Sequence, residues 1–125
     1  MQITHISVAF SDARGEIVHI LDIPADFKTV LFISSNSGAI RANHYHKKDS
    51  HYTYLISGKF EYGEKSLQEG SKLIKKNIKP GDLVLTKPKI IHYMKFLEDS
   101  TMIVFTTEPR DQKHYEADTV RVKLI

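Results

Sequence analysis

Apolar and polar residues alternate along most of this chain with a period of two, the spacing of half-buried strands, and turn residues interrupt them at short intervals. Ile3 to Phe10 reads as a strand that breaks at Ser11–Gly15, and Glu16 to Leu21 as a second that ends at Asp22–Asp26. The apolar run Val30 to Ser34 predicts a buried strand closed by Asn36-Ser37-Gly38. Strands are then expected at Ile40–His46, Tyr52–Ser57 and Lys59–Tyr62, followed by a polar loop or hairpin from Glu64 to Ser71. Lys72–Ile78 alternates weakly, and Lys79-Pro80-Gly81-Asp82 is a turn because proline presets φ and glycine is free to make it positive. Leu83–Thr86 resumes the sheet, and His92–Leu97 with Thr101–Thr107 forms a last hairpin. Residues 108–118 are polar with room for one short helical turn, and Thr119–Ile125 reads as a final strand. Many short strands at regular turn spacing predict a single all-β domain over residues 1–125, a double-sheet jelly roll or barrel with a mouth that can hold a small ligand.

Composition narrows the function classes. The chain has 125 residues and no cysteine, which excludes disulfides, thiolate metal sites and cysteine nucleophiles. The N-terminus lacks the basic-then-apolar layout of a secretory signal and no apolar run is long enough to cross a bilayer, so a cytoplasmic protein with no membrane role is expected. The formal charge of +3 favours a small anionic ligand such as a phosphorylated or carboxylated molecule. Lys72, Lys75, Lys76, Lys79, Lys87 and Lys89 lack aromatic interleaving and read as a solvated face, with no nucleic-acid partner. Exposed edges of a small jelly roll are often paired between subunits, so a homodimer is expected, through an edge strand or the face bearing Tyr52 and Tyr54.

Candidate chemistry centres on Gly38–Gly58. His44 and His46 lie two apart on a strand and must share a face, His51 lies just past a turn, and His92 sits on a later strand. Neutral imidazoles gathered in this way predict a site for one divalent transition metal: Zn, Mn, Fe or Ni. Ile40, Ala42, Thr53, Leu55, Met94 and Phe96 share the histidine faces, and Thr53, Met94 and Phe96 are the expected substrate lining. Arg41 is a candidate anion clamp, although its parity turns it off the His44 face unless a bulge intervenes. His5, His19 and His114 are expected at the surface.

These residues resemble the cupin motifs. The first motif runs glycine, five residues, His-x-His, three or four residues, Glu, six residues, glycine; Gly38, His44-Tyr45-His46, His51 and Gly58 fit it, with His51 in place of Glu. In the second, spanning residues 81–96, Gly81 and His92 keep their separation, Pro88 comes one place late, Ile90 stands near the second glycine and Phe96 replaces Asn. The resemblance implies a double-stranded β-helix with His44, His46, His51 and His92 as the metal ligands, similar to the four-histidine minority of cupins. The run Arg41-Ala42-Asn43-His44-Tyr45-His46 also resembles the Arg-Gly-x-His-x-Gln/His stretch of nucleotide-sugar 3,5-epimerases and 3,4-ketoisomerases, with Ala42 in place of glycine. That likeness implies an acid/base role for His44 and no need of metal, so the two resemblances compete for one histidine.

The combined expectation is an enzyme that isomerises or epimerises a keto sugar or nucleotide sugar. The metal would polarise a carbonyl and a side chain would shuttle the proton. With all four histidines as ligands, the shuttle candidates are Tyr45, Tyr93, Glu61 and Glu108. A metal-dependent (Fe/Mn) dioxygenase and a non-catalytic sugar-binding or sensing module are the alternatives.

Overall fold

The computed structural model describes residues 1–125. Twelve strands and one short helix follow in the order β1 (Gln2–His5), β2 (Phe10–Asp12), β3 (Gly15–Ile17), β4 (Thr29–Ser35), β5 (Ile40–His46), β6 (His51–Ser57), β7 (Phe60–Ser66), β8 (Ile74–Ile78), β9 (Asp82–Thr86), β10 (Ile90–Phe96), β11 (Ser100–Thr106), α1 (Gln112–Asp118) and β12 (Thr119–Arg121). Two antiparallel five-stranded sheets, in the orders β1-β9-β6-β11-β4 and β12-β5-β10-β7-β8, face each other as a jelly roll. No helix is long and apolar enough to cross a membrane.

The expected elements hold from β4 to β11, except that β7 runs on to Ser66 through the expected Glu64–Ser71 loop, where Glu64 pairs with both His92 and Ile74, and they fail at the start. Ile3–Phe10 is not one strand: β1 ends at His5, and Phe10 instead pairs with Ile17 in a separate two-stranded hairpin. Residues 18–28 carry no strand, so the expected Glu16–Leu21 strand stops at Ile17. Apolar alternation there covers a sheet face without joining a ladder: Phe27 packs against Tyr52 and Phe105 with ring centroids 6.1 and 5.7 Å away. At the other end β12 stops at Arg121, because Asn43 takes over the following backbone: its Oδ1 accepts from the N–H groups of Leu124 (3.0 Å) and Ile125 (3.3 Å).

Inward-facing rows run from polar to apolar along several strands, which divides the barrel. His51-Thr53-Leu55, His92-Met94-Phe96 and Glu64-Tyr62-Phe60 each begin with a titratable group and end in the core. Leu55, Phe60, Ile78, Val84, Phe96 and Met102 plug one end, so the chemistry is confined to the other.

The strand β5 carries the irregularity that positions the site. Its register against β10 shifts between His92↔His44 and Tyr93↔Ala42, and both Ala42 (φ 68°) and Asn43 (φ 54°) adopt left-handed backbone. This bulge inserts one extra residue and turns Arg41 onto the His44 side, which strict alternation forbids. A left-handed L-residue costs roughly 1–2 kcal/mol, whereas glycine escapes that cost but loses about 0.5–1 kcal/mol of chain entropy. Ala42→Gly is therefore expected to stabilise the protein by about 0.5–1 kcal/mol, read as a higher urea midpoint at unchanged m-value.

Candidate active site

His44, His46, His51 and His92 converge at the polar end of the barrel. The ring centroids of His44 lie 4.6 Å from His46 and 4.8 Å from His92, and those of His51 lie 5.5 Å from His46 and 5.3 Å from His92. All four are at most 8% exposed. They line a cavity of about 150 Å³, His44, His46 and His92 from one sheet and His51, with Leu31, Ile33, Met102 and Val104, from the other. At about 10–15 Å³ per water this holds on the order of ten waters, space comparable to a monosaccharide ring.

Tautomers follow from the partners. The Nδ1 of His92 lies 2.9 Å from the carbonyl oxygen of Ile90, which can only accept, so Nδ1 carries the proton. The Thr119 hydroxyl spends its proton on the carbonyl of Tyr115 (2.6 Å) and must accept from the His46 Nδ1 at 3.3 Å, with the Asp118 carboxylate 3.5 Å from the same nitrogen. The Nδ1 of His51 donates to Asp49 Oδ2 at 3.0 Å. Three rings are thus fixed with a basic Nε2 free for chemistry, and the buried Nε2 of His46 has no hydrogen-bond partner at all. Fixing Nδ1 through a second set of partners is how metal-ligating histidines are held.

Burial is the main reason the rings of His44, His46 and His92 stay neutral. It lowers the His44 pKa to about 3, aided by the nearby His46, His51, Arg110 and Arg121 charges, and that of His46 to about 4, where Asp49 and Asp118 oppose the fall. His92 is pushed well below the ordinary value by the same burial. Burial alone would raise the Asp49 pKa, but the hydrogen bond and charge of His51 and the charge of Arg110 outweigh it and hold the carboxyl below its usual range.

The donor set fits a divalent metal. One ligand atom from each of His44, His46 and His92 lies within 4.8 Å of the others, and a second such group is His46, Asp49 and His51. Neutral nitrogens of this kind suit Zn, Mn, Fe or Ni.

Other expected site residues divide. Arg41, Thr53 and Met94 line the cavity. Arg41 is anchored there by its Nε donating to Ser35 Oγ (2.8 Å) and its Nη2 to the Ser34 carbonyl (3.0 Å). Phe96 lies deeper, in the apolar plug beside Phe60 at 5.4 Å, and does not reach the cavity. Tyr93 does not either: it lies over Gly63, where any Cβ would collide with its ring, and its hydroxyl donates to Glu61 Oε1 at 2.6 Å. Tyr93 and Glu61 occupy each other on the outside of the sheet, and Tyr45 alternates away from His44 and His46 and is absent from the lining. Glu108 contributes a backbone N–H to Asp49 and is not in the lining.

Three participants escaped the sequence reading. Asp49 sits in a Lys-Lys-Asp-Ser turn where aspartate is ordinary, but its place two residues before His51 was an available signal. Arg110 and Tyr115 come from the polar stretch after β11, with the Arg110 guanidinium 5.2 Å from the Tyr115 ring centroid. The Tyr115 ring closes over the histidines, 6.2 Å from His44 and 5.8 Å from His46. One turn of helix puts it there: α1 starts at Asp111, whose side chain accepts from the His114 N–H.

No family model matches the chain, and no curated protein matches it. Solved structures do. The sugar 3,4-ketoisomerase QdtA of Thermoanaerobacterium thermosaccharolyticum, a double mutant in complex with TDP, is 26% identical, with TM-score 0.73 over 96% of this chain and 86% of that one. The chain has the cupin fold. Another QdtA structure, 22% identical at TM-score 0.73 over the same shares of the two chains (96% and 86%), is in complex with TDP-4-keto-6-deoxyglucose. The dTDP-4-dehydrorhamnose 3,5-epimerase of Sulfolobus tokodaii is 18% identical at TM-score 0.75, over 92% of this chain and 73% of that one. The 3,5-epimerase RmlC of Legionella pneumophila, in complex with dTDP-4-keto-L-rhamnose, is 13% identical at TM-score 0.80 over 98% and 72%. This cupin thus resembles sugar-nucleotide isomerases and epimerases over nearly its whole length.

Neutral burial of His44 and His46 has a stability consequence. Their folded pKa values lie below the unfolded 6.5, so the unfolded chain binds more protons on acidification and stability is lost as pH falls from about 6.5 towards about 3. In chelator-treated protein the unfolding free energy from urea titrations is expected to drop steadily across that window, by on the order of a few kcal/mol in total.

Proposed function

We propose that this cupin is an isomerase or epimerase of a keto sugar, free or nucleotide-linked, that moves a proton beside a carbonyl. The supporting observation is the set of imidazoles of His46, His51 and His92, each held through its Nδ1, beside one sugar-sized cavity. A neutral imidazole abstracts a proton that a carbonyl has acidified, and an imidazolium returns it. Arg41 and Arg110 supply cationic groups at the same cavity for an anionic substrate group, and Tyr115 shields the reacting face from water. His44, His46 and His92 would hold a divalent ion, which supplies Lewis-acid polarisation of a carbonyl. The cytoplasm, with its sugar-nucleotide pools, is the proposed place of action.

The assembly is proposed to be a homodimer, and the outer faces of the two sheets support this reading. On β1-β9-β6-β11-β4 two uncharged rows cross the sheet, Leu85-Tyr52-Phe105-Val30 and Leu83-Tyr54-Ile103-Phe32. Val30 and Phe32 are 61% and 67% exposed on the edge strand. The opposite sheet instead carries charged and polar residues on its outer face, Lys95-Glu61-Asn77 and Lys75, with Tyr93 buried over Gly63. Phe27 covers Tyr52 and Phe105 at the centre of the uncharged face, so the patch left for a second copy is its β4 edge with Val30 and Phe32.

Three outcomes are expected. Tag-free protein should hold about one Zn, Mn, Fe or Ni per chain, and His92→Ala should weaken that binding at least tenfold; failure to load any of the four would remove the metal. Incubation with TDP-4-keto-6-deoxyglucose in deuterium oxide should place deuterium at a carbon next to the carbonyl, read by mass spectrometry. Light scattering at tens of micromolar should give a dimer mass for the wild type and a monomer mass for Phe32→Asp with an unchanged far-ultraviolet circular dichroism spectrum.

A further inference from the structure

We propose that His51 is the proton-transfer residue of this site and Asp49 its positioning residue, because a buried Asp49 carboxylate fixed by four donors besides His51 orients the one histidine that stands outside the His44-His46-His92 group. The assignment rests on the isomerase reading above and takes His51 out of the metal shell that its place in the motif implies.

The first observation is spatial. His44, His46 and His92 satisfy mutual proximity of their ligand atoms as a threesome, whereas His51 does so only with His46 and Asp49. His51 still lines the same cavity, on the first residue of β6, opposite the β5 and β10 histidines.

The second concerns what each Nδ1–H faces. For His92 the acceptor is a backbone carbonyl, and for His46 a hydroxyl, with a carboxylate only at 3.5 Å. Those partners fix a tautomer but do little for a ring that becomes positive. His51 alone among the four has a carboxylate at hydrogen-bond distance, 3.0 Å. A base whose second nitrogen is held by an ionised carboxylate is oriented and has its imidazolium stabilised.

The third is the fixity of that carboxylate. Asp49 is 1% exposed; its Oδ1 accepts from the N–H groups of Thr107 (3.0 Å) and Glu108 (3.1 Å) and the Thr107 hydroxyl (3.4 Å), and its Oδ2 from Arg110 Nη2 (3.0 Å). So many donors leave it ionised and unable to rotate away from His51.

The step balances without a co-reactant. His51 Nε2 takes the proton from the carbon beside the carbonyl; the C–H electron pair becomes the new C=C bond and the carbonyl π pair moves onto oxygen. The Nε2–H then returns the proton from the same side to the former carbonyl carbon in an isomerisation; an epimerisation would draw its second proton from a donor on the opposite face. In the isomerisation a hydroxyl proton passes between the two oxygens.

The test compares His51→Gln, His51→Ala and Asp49→Asn with the wild type, with thermal unfolding as a check on folding. The readouts are bound metal per chain and deuterium uptake by TDP-4-keto-6-deoxyglucose. Both His51 variants should keep the wild-type metal content and lose exchange by a hundredfold or more in kcat with little change in KM, and added imidazole should restore part of it to His51→Ala. Asp49→Asn should keep the metal and lower kcat tenfold or more. Loss of metal in His51→Gln, or exchange within fivefold of wild type, overturns the assignment while leaving the isomerase reading intact. A wild type that exchanges no α-proton removes the isomerase reading, and the role of His51 with it.

Discussion

A single buried carboxylate ties the active end of this barrel together. Asp49 lies between β5 and β6 and receives donors from His51, from the backbone of residues 107 and 108 just past β11, and from Arg110. Arg110 in turn lies against Tyr115 on α1, the lid over the histidines. An unpaired buried carboxylate would be costly, so its partners must all be in place together. The loop after β6's entry turn, the exit from β11 and the lid are therefore one cooperative unit. Asp118 repeats the device from the other side, accepting from the N–H groups of Lys48 (2.8 Å) and Asp49 (3.2 Å) and so locking the end of α1 to the same turn.

That unit explains why polar residues sit inside a small barrel without breaking it. Each buried imidazole has its Nδ1 satisfied except His44, which faces the cavity, so the penalty is confined to the free Nε2 atoms. The inward rows then turn apolar within two or three residues, and the plug of Leu55, Phe60, Ile78 and Phe96 provides the rigidity on which the histidines stand. The bulge at Ala42 and Asn43 trades backbone strain for the position of Arg41, and Asn43 offsets part of it by clamping the backbone of Leu124 and Ile125.

Much of this was legible in the sequence, for physical reasons that also mark its limits. Period-two parity put His44 and His46 on one face, and the cupin-like spacing brought His51 and His92 to them, because strand geometry is stiff. Parity also argued Arg41 off that face, and it is there only because left-handed backbone at Ala42 and Asn43, residues with no glycine to announce it, adds a residue to the strand. Tyr93 looked available since it neighbours His92, yet adjacent residues on a strand point to opposite faces, and the gap above Gly63 receives its ring. Residues 6–28 were misread because apolar alternation records burial, and a strap lying across a sheet buries the same pattern as a strand within it. Arg110 and Tyr115 left no periodic trace, since Arg110 precedes the helix and seven residues of helix are too few to show a face.

The conflict over one histidine dissolves once the fourth is removed from the metal shell. A motif position occupied by Glu is ordinarily read as a ligand whatever replaces it, so His51 first completes an all-imidazole set. Glutamate would bring a negative charge of its own; His51 brings none and instead borrows one from Asp49, at a distance that serves proton transfer as well as it would serve ligation. What separates the two uses is geometry: the ligand atoms of three histidines gather without His51, and the gathered three have neutral partners on Nδ1 or none within hydrogen-bond distance that are charged. Charge placed behind a ring favours the protonated state, which a metal ligand never visits and a proton carrier must. Under the proposed assignment the carboxylate therefore sits behind the one histidine whose role requires it to become a cation.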